Sequence, residues 1–412
     1  MKKRQSFILS VLFVILGSLS AMAQVAKLSS PSNFDPDCVK FDFQEYQAGI
    51  QVADVVGKWG VNFQGVATGN PQIHLIVAPI GGAEPDRVLQ NQTAPGSNPP
   101  LIINFKYPVS KVGFVASNGS DSTTVTLTAF DPLGENLGSV SETGLATEKF
   151  IGVRGFSSRG IGKLLVDYGT ATEAEQIDDM IIEYVSRPKF TTYLAQVGDA
   201  KDLLQTILVI SNLSNSTATG ELRLFDSGGT PMLLKLGQET NSVFSFSLLP
   251  FSSKSFTTEG ASEPVKVGYA EIESDTPVEG TAIFRTTLAG ALTEAGVGSS
   301  VPRPFVVGVA QKTAATGFDT GVAAVNASDQ AVDAQVRLYN EAGNLVATNE
   351  SDLDLGPHAH KAQFLSQLFS TLANNDFKGT LVITSDKPMA LVMIRTLGGI
   401  AQSTLPVGSV SQ

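Results

Sequence analysis

TLTAFDPLGENLG at residues 126–138, ELRLFDSGGTPM at 221–232 and QVRLYNEAGNLV at 335–346 follow one plan. Each runs from an alternating stretch into Asp or Asn and then reaches a glycine. In the first, Val125, Leu127 and Ala129 fall on one side of an extended chain and Thr124, Thr126 and Thr128 on the other. That alternation marks a half-buried antiparallel strand. The Asx side chain opens a turn and the glycine supplies a positive φ, so each stretch reads as a β-hairpin. Three hairpins spread along one chain point to an all-β protein.

Working outward, residues 41–184 carry further short strands, LIINF, KVGFVAS, KLLVDYG and MIIEY, each bounded by Gly, Pro, Asn or Asp. The remainder repeats itself. At an offset of 114, Asn212 meets Asn326, Ser214 meets Ser328, Arg223 meets Arg337, Leu224 meets Leu338 and Gly229 meets Gly343. Further on, IESDTPVEGTAIFRT at 272–286 matches ITSDKPMALVMIRT at 383–396 after one deletion, which sets Arg285 against Arg395. Prolines near 188 and in SSVPRP interrupt strand ladders and mark the boundaries. The expected organisation is an exported leader at 1–23, a first sandwich at 24–188, and two repeats at 189–303 and 304–412. In the second repeat, AQFLSQLFSTL aligns Phe364, Leu368 and Leu372 with Leu365 and Phe369, which predicts a short amphipathic helix over 363–372.

The leader is read from Lys2, Lys3 and Arg4, the apolar run FILSVLFVILG and the small residues Ala21 and Ala23, the pattern of a Sec signal peptide. The protein is therefore expected to be secreted or extracellular, or periplasmic. The run is shorter than the roughly 20 residues of a bilayer span, so no transmembrane segment is expected. Cys38 is the single cysteine of 412 residues, so no intramolecular disulfide is available and stability must come from packed cores. Net charge is −11, and three units more negative once Lys2, Lys3 and Arg4 leave with the leader. An acidic chain is a poor partner for nucleic acid or an anionic membrane.

The stretch AGIQVADVVGKWGVNFQG, with PPLIINFKYPVSKVGFVASNGSDSTTVTLTAFDPLGENLG and IDDMIIEY, resembles the galactose-binding-like jelly-roll domains of many secreted bacterial proteins. The two repeats, with their shared strand-turn text and SDxP…RT, resemble a tandem Ig-like or fibronectin-like module of large extracellular bacterial proteins. The resemblance implies an N-terminal jelly-roll β-sandwich followed by two Ig-like β-sandwich repeats, the second with a short helix. It implies no activity for the repeats.

Candidate chemistry is sparse. GxSxG, HExxH, P-loop and CxxC patterns are missing, and no catalytic residues are assigned. His358 and His360 stand two apart, but no further ligands complete a zinc site, so a metal role is not expected of them. Asp178 and Asp179 are adjacent on an expected strand, where side chains alternate, so they read as facing opposite ways. One of them, taken as Asp179, meets Asp42 if first and last strands pair, which would offer oxygens to calcium. Trp59, in GKWGVNF, is a candidate sugar-stacking platform, or a core residue. The polar loop SNGSDS contributes Asn118 and Asp121 as candidate ligand contacts, since loops on rigid sandwiches commonly carry recognition. The expected function is non-catalytic extracellular binding or surface display, with a glycan as the first ligand class and a surface protein as the other partner. A structural or adhesive matrix component and a glycoside hydrolase with its site in the first-module loops are the alternatives.

Overall fold

The computed structural model describes residues 24–43, 56–65, 72–76, 86–90, 100–117, 120–169, 176–288, 290–398, 400–405 and 407–408. The leader at 1–23 lies outside the described residues. The chain is all-β, an N-terminal β-sandwich followed by two β-sandwich repeats, the second with a short helix. It divides into two units, 1–187 and 188–412.

The first unit contains β1 (Val25–Leu28), β2 (Val39–Phe41), β3 (Val61–Gly65), β4 (Gln72–Ile76), β5 (Asp86–Gln90), β6 (Leu101–Ser117), β7 (Thr124–Phe130), β8 (Asn136–Thr143), β9 (Lys149–Gly155), β10 (Ile161–Asp167) and β11 (Gln176–Tyr184). β6 serves two sheets. Its first half lies between β3 and β10, and β7 and β8 continue outward from β10. Its second half lies between β9 and β11, with β1 on β9 and with β2 and the β4–β5 pair on β11. Pro108, which has no N–H to give a ladder, stands where the partners change. Leu101, Ile103 and Phe105 before it and Val109, Val112, Phe114 and Ala116 after it are all buried.

The second unit holds both repeats. The first contains β12 (Phe190–Asp199), β13 (Leu204–Asn212), β14 (Ala218–Asp226), β15 (Leu234–Leu236), β16 (Glu239–Asn241), β17 (Val243–Leu248), β18 (Ser253–Thr257), β19 (Lys266–Ser274), β20 (Val278–Leu288) and β21 (Ala291–Gly298). Its sheets run β12-β19-β14-β17 and β18-β13-β20-β21. The second repeat contains β22 (Arg303–Lys312), β23 (Phe318–Asn326), β24 (Ala334–Asn340), β25 (Leu345–Asn349), β26 (His360–Phe364), α1 (Leu365–Leu368), β27 (Phe377–Leu397), β28 (Ile400–Leu405) and β29 (Val407–Gly408). The first part of β27 lies between β22 and β24, and its last part between β23 and β28. β27 thus stands for β19 and β20 together; the β15–β16 pair belongs to the first repeat alone and the β22–β29 pair to the second.

The shared signature residues are turn devices. Asn212 donates through Nδ2 to the carbonyls of Ser216, Leu248 and Leu249, and its Oδ1 accepts from the Ser214 amide and hydroxyl. Asn326 does the same with Gln330, Leu355, Gly356 and Ser328. Both asparagines are fully buried. In the three hairpins, Asp131, Asp226 and Asn340 each accept through Oδ1 from the backbone N–H two and four residues on, five of the six bonds at 2.9 Å and one at 3.0 Å. Gly134, Gly229 and Gly343 follow with φ of 87°, 81° and 78°.

Two expectations need correction. The helix is shorter than 363–372: Gln363 and Phe364 end β26, α1 covers four residues, and a 3₁₀ turn spans Ser370–Leu372. Leu365, Leu368, Phe369 and Leu372 nonetheless fill the end of the second core. Arg285 and Arg395 are also not equivalent. Val278 pairs with Asn212 and Met389 with Asn326, which places Arg285 level with Thr396 and Arg395 level with Phe284. Neighbours on a strand face opposite ways. Arg285 accordingly pairs with Glu294 at 2.6 Å, whereas Arg395 lies 3.9 Å over the Phe318 ring.

Candidate ligand groove and acidic cluster

β2 runs antiparallel to β11 with Phe41 opposite Met180, so the residues just beyond, Asp42 and Asp179, meet. Asp178 joins them, against the expectation from strand alternation. The register of β11 on β6 slips between Asp178 and Ile181, and Asp179 takes a φ of +45°. A bulge adds a residue to one strand and re-aims its side chains, so alternation fails there. The Asp179 amide donates to Asp178 Oδ1 at 2.8 Å. One carboxylate oxygen from each of Asp42, Asp178 and Asp179 lies within 4.8 Å of the others. Three carboxylates supply hard oxygen ligands of the kind calcium takes, six to eight at a time.

Trp59 closes a 3₁₀ turn, Gly57–Trp59, ahead of β3. It is 8% exposed, and its ring meets Phe41 edge to face at 6.1 Å. Its carbonyl accepts from the Tyr184 hydroxyl at 2.7 Å, and burial pushes the Tyr184 phenol well above its ordinary range, so it stays a donor. Trp59 is a core residue. Its faces are spent on packing, so the stacking-platform reading gives way.

Beside its turn lies a groove of about 480 Å³, lined by Gly57, Gly60, Val61, Asn62, Asn104, Phe105, Lys106 and Gly162. Val61 and Phe63 point inward and are buried, which leaves Asn62 and Gln64 on the outer face. On β6, Leu101, Ile103 and Phe105 point inward and leave Ile102, Asn104 and Lys106 outside by the same alternation. Asn62 and Asn104 pair directly across the two strands. Among the described residues neither side-chain amide has a hydrogen-bond partner. Two side-by-side primary amides offer four N–H donors and two carbonyl acceptors at a solvent-facing groove.

Asp121 is an exposed turn residue beside Ser120 and Ser122, whose hydroxyls stand 3.0 Å apart. Asn118 lies outside the described residues. The histidine pair is split: His358 contacts Asp329 at 2.8 Å, while His360 is buried between the repeats against Gln196 and Ser227. A cleft of about 450 Å³ between the repeats, walled by Leu203, Leu204, Phe284, Phe364 and Ile394, is predominantly apolar. The amide pair across β3 and β6 escaped the sequence reading because Asn62 and Asn104 are 42 positions apart. Only the pairing register joins them.

No family model matches the chain, and no curated protein matches it. Two solved structures do. One was described as "The Triple Jelly Roll Fold and Turret Assembly in an Archaeal Virus", at 12% identity and a TM-score of 0.23, over 88% of this chain and 96% of that one. The other was described as the atomic structure of Sulfolobus Turreted Icosahedral Virus, at 11% identity and a TM-score of 0.22, over 88% and 97%. Superposition at that level fixes neither topology nor role.

Proposed function

We propose that this chain is a non-catalytic, extracellular glycan-binding protein whose N-terminal jelly roll takes its ligand on the sheet face beside Trp59, and whose Ig-like repeats serve display. The observation that carries the reading is the groove with its paired amides of Asn62 and Asn104, which have no hydrogen-bond partner among the described residues. Amides match the mixed donor and acceptor character of sugar hydroxyls, and a groove of this volume falls in the range of small-ligand sites. Among the described residues none that lines it is Asp or Glu, which supports binding over glycoside hydrolysis, a reaction that needs two carboxylates about the scissile bond. Calcium at Asp42, Asp178 and Asp179 is a structural accessory in this proposal, and Asp121 flanks the same unit as a secondary contact. The Sec-type leader supports export. The test is a glycan array with the full chain and with Asn104→Ala. Binding by the wild type, weakened about tenfold or more in the variant at an unchanged melting temperature, is expected from the loss of a hydrogen-bonded contact. A chain that binds no glycan leaves the display and adhesion role alone.

A further inference from the structure

We propose that the glycan taken by this groove is an acidic one, carrying uronic-acid carboxylates, an inference that rests on reading the groove as a glycan site. Lys106 lines the groove, and Lys163 on β10 pairs with Asn104, two residues along β6 from Lys106. Both side chains leave the same outer face, since Phe105 and Leu164 beside them are buried. Asn62, Asn104 and Lys163 therefore form one row across three strands, with Lys106 at its edge.

Neither lysine has an acidic partner among the described residues. Each ammonium is instead held against a ring, Lys106 at 5.2 Å from the Tyr107 centroid and Lys163 at 4.0 Å from that of Phe130. An aromatic face orders a cation without neutralising it. Asp167, the carboxylate on the same face of β10, lies four residues from Lys163, about 13 Å along an extended strand. The chain as a whole has 39 Asp and Glu against 28 Lys and Arg. Among the described residues, two ordered ammoniums without an acidic partner stand beside two amides without a hydrogen-bond partner, a local reversal of the protein's sign. The chemistry that complements it is a carboxylate between the lysines and hydroxyls on the amides.

The probes that isolate charge are tetragalacturonate and its methyl ester, which share a backbone and differ in the carboxylates. Calorimetric titration of the full chain should show the acid bound about tenfold or more tighter than the ester, with the difference shrinking as salt is raised. In Lys106→Gln/Lys163→Gln, which keeps length and polarity, that preference should vanish while the melting temperature holds. Equal binding of acid and ester, or a preference that survives in the double variant, overturns the inference. If the chain binds neutral glycans and Asn104→Ala abolishes that, the glycan reading stands and the acidic assignment alone fails. If neither acid, ester nor any neutral glycan binds, both fail together.

Discussion

The two repeats share their hidden hydrogen bonding and differ in the surfaces they present. Asn212 and Asn326 make matching sets of bonds, and the turn at Leu249–Phe251 has the backbone of the turn at Gly356–His358, down to a φ of 57° at Phe251 and 54° at His358. The outer face of β13 and β20 carries half-buried Ile207, Val209, Thr281 and Ile283. At the equivalent places β23 and β27 carry Gly321, Ala323 and Val392, all buried, with Ile394 half-buried. Ala323, Val325, Ala390 and Val392 belong to the core of the first repeat. In the second repeat the turn also docks: the His358 carbonyl accepts from the Tyr269 hydroxyl at 3.0 Å and sits against Gly229. Its counterpart in the first repeat leaves Leu249 and Phe251 exposed. Duplication kept what satisfies buried backbone groups, and the faces diverged according to what each came to touch.

If the asparagine turns are equivalent, Asn212→Ala and Asn326→Ala should each destabilise the second unit by about 3 kcal/mol. Each strands three carbonyls and an amide that the side chain satisfied. Urea denaturation of both variants checks this, and a difference of more than about 1 kcal/mol between them would break the equivalence.

His360, whose counterpart is the exposed Ser253, sharpens the contrast. Burial between the repeats pushes its imidazole down to about 4, below the ordinary value of 6.5. A depressed folded pKa means that the unfolded chain binds the proton first. The contribution is therefore fully present above about pH 6.5 and declines as pH falls toward 4, by up to about 3 kcal/mol. Denaturation midpoints at pH 7 and pH 4.5 should show this loss in the wild type and much less of it in His360→Phe.

The smallest effect concerns the hairpin glycines. Gly134→Ala and Gly343→Ala each force a side chain into positive φ in open space, at about 1 kcal/mol. Gly229→Ala adds a contact of 2.6 Å with the His358 carbonyl, so it should cost about 1 to 2 kcal/mol more. Equal costs at all three would mean that the repeats are not seated on each other in solution.

Turn chemistry was legible in the sequence because it is local: Asp131, Asp226 and Asn340 bond within four residues of themselves. The meeting of Asp42 with Asp179 was also legible, from the pairing of terminal strands. Asp178 was not, because a bulge leaves no mark in an alternating pattern. The Arg285 and Arg395 match failed because a one-residue slip flips a strand's faces while the text still aligns. Phe364 was drawn into the expected helix because its spacing to Leu368 and Leu372 fits a helical stripe, and nothing local reports that β26 extends to it. Trp59 reads alike in either role until its neighbours are known, and the groove depends on partners that only the register of β3 on β6 supplies.

β27, 21 residues long, has a consequence for how the second repeat comes apart. Because one strand is laddered into both sheets, loosening either sheet strains the pairing of the other, and the two open as one cooperative unit. β6 couples the sheets of the N-terminal unit in the same way. In the first repeat the ladder is cut at Asp275–Pro277, between β19 and β20, and only there can one sheet open while the other keeps its bonds.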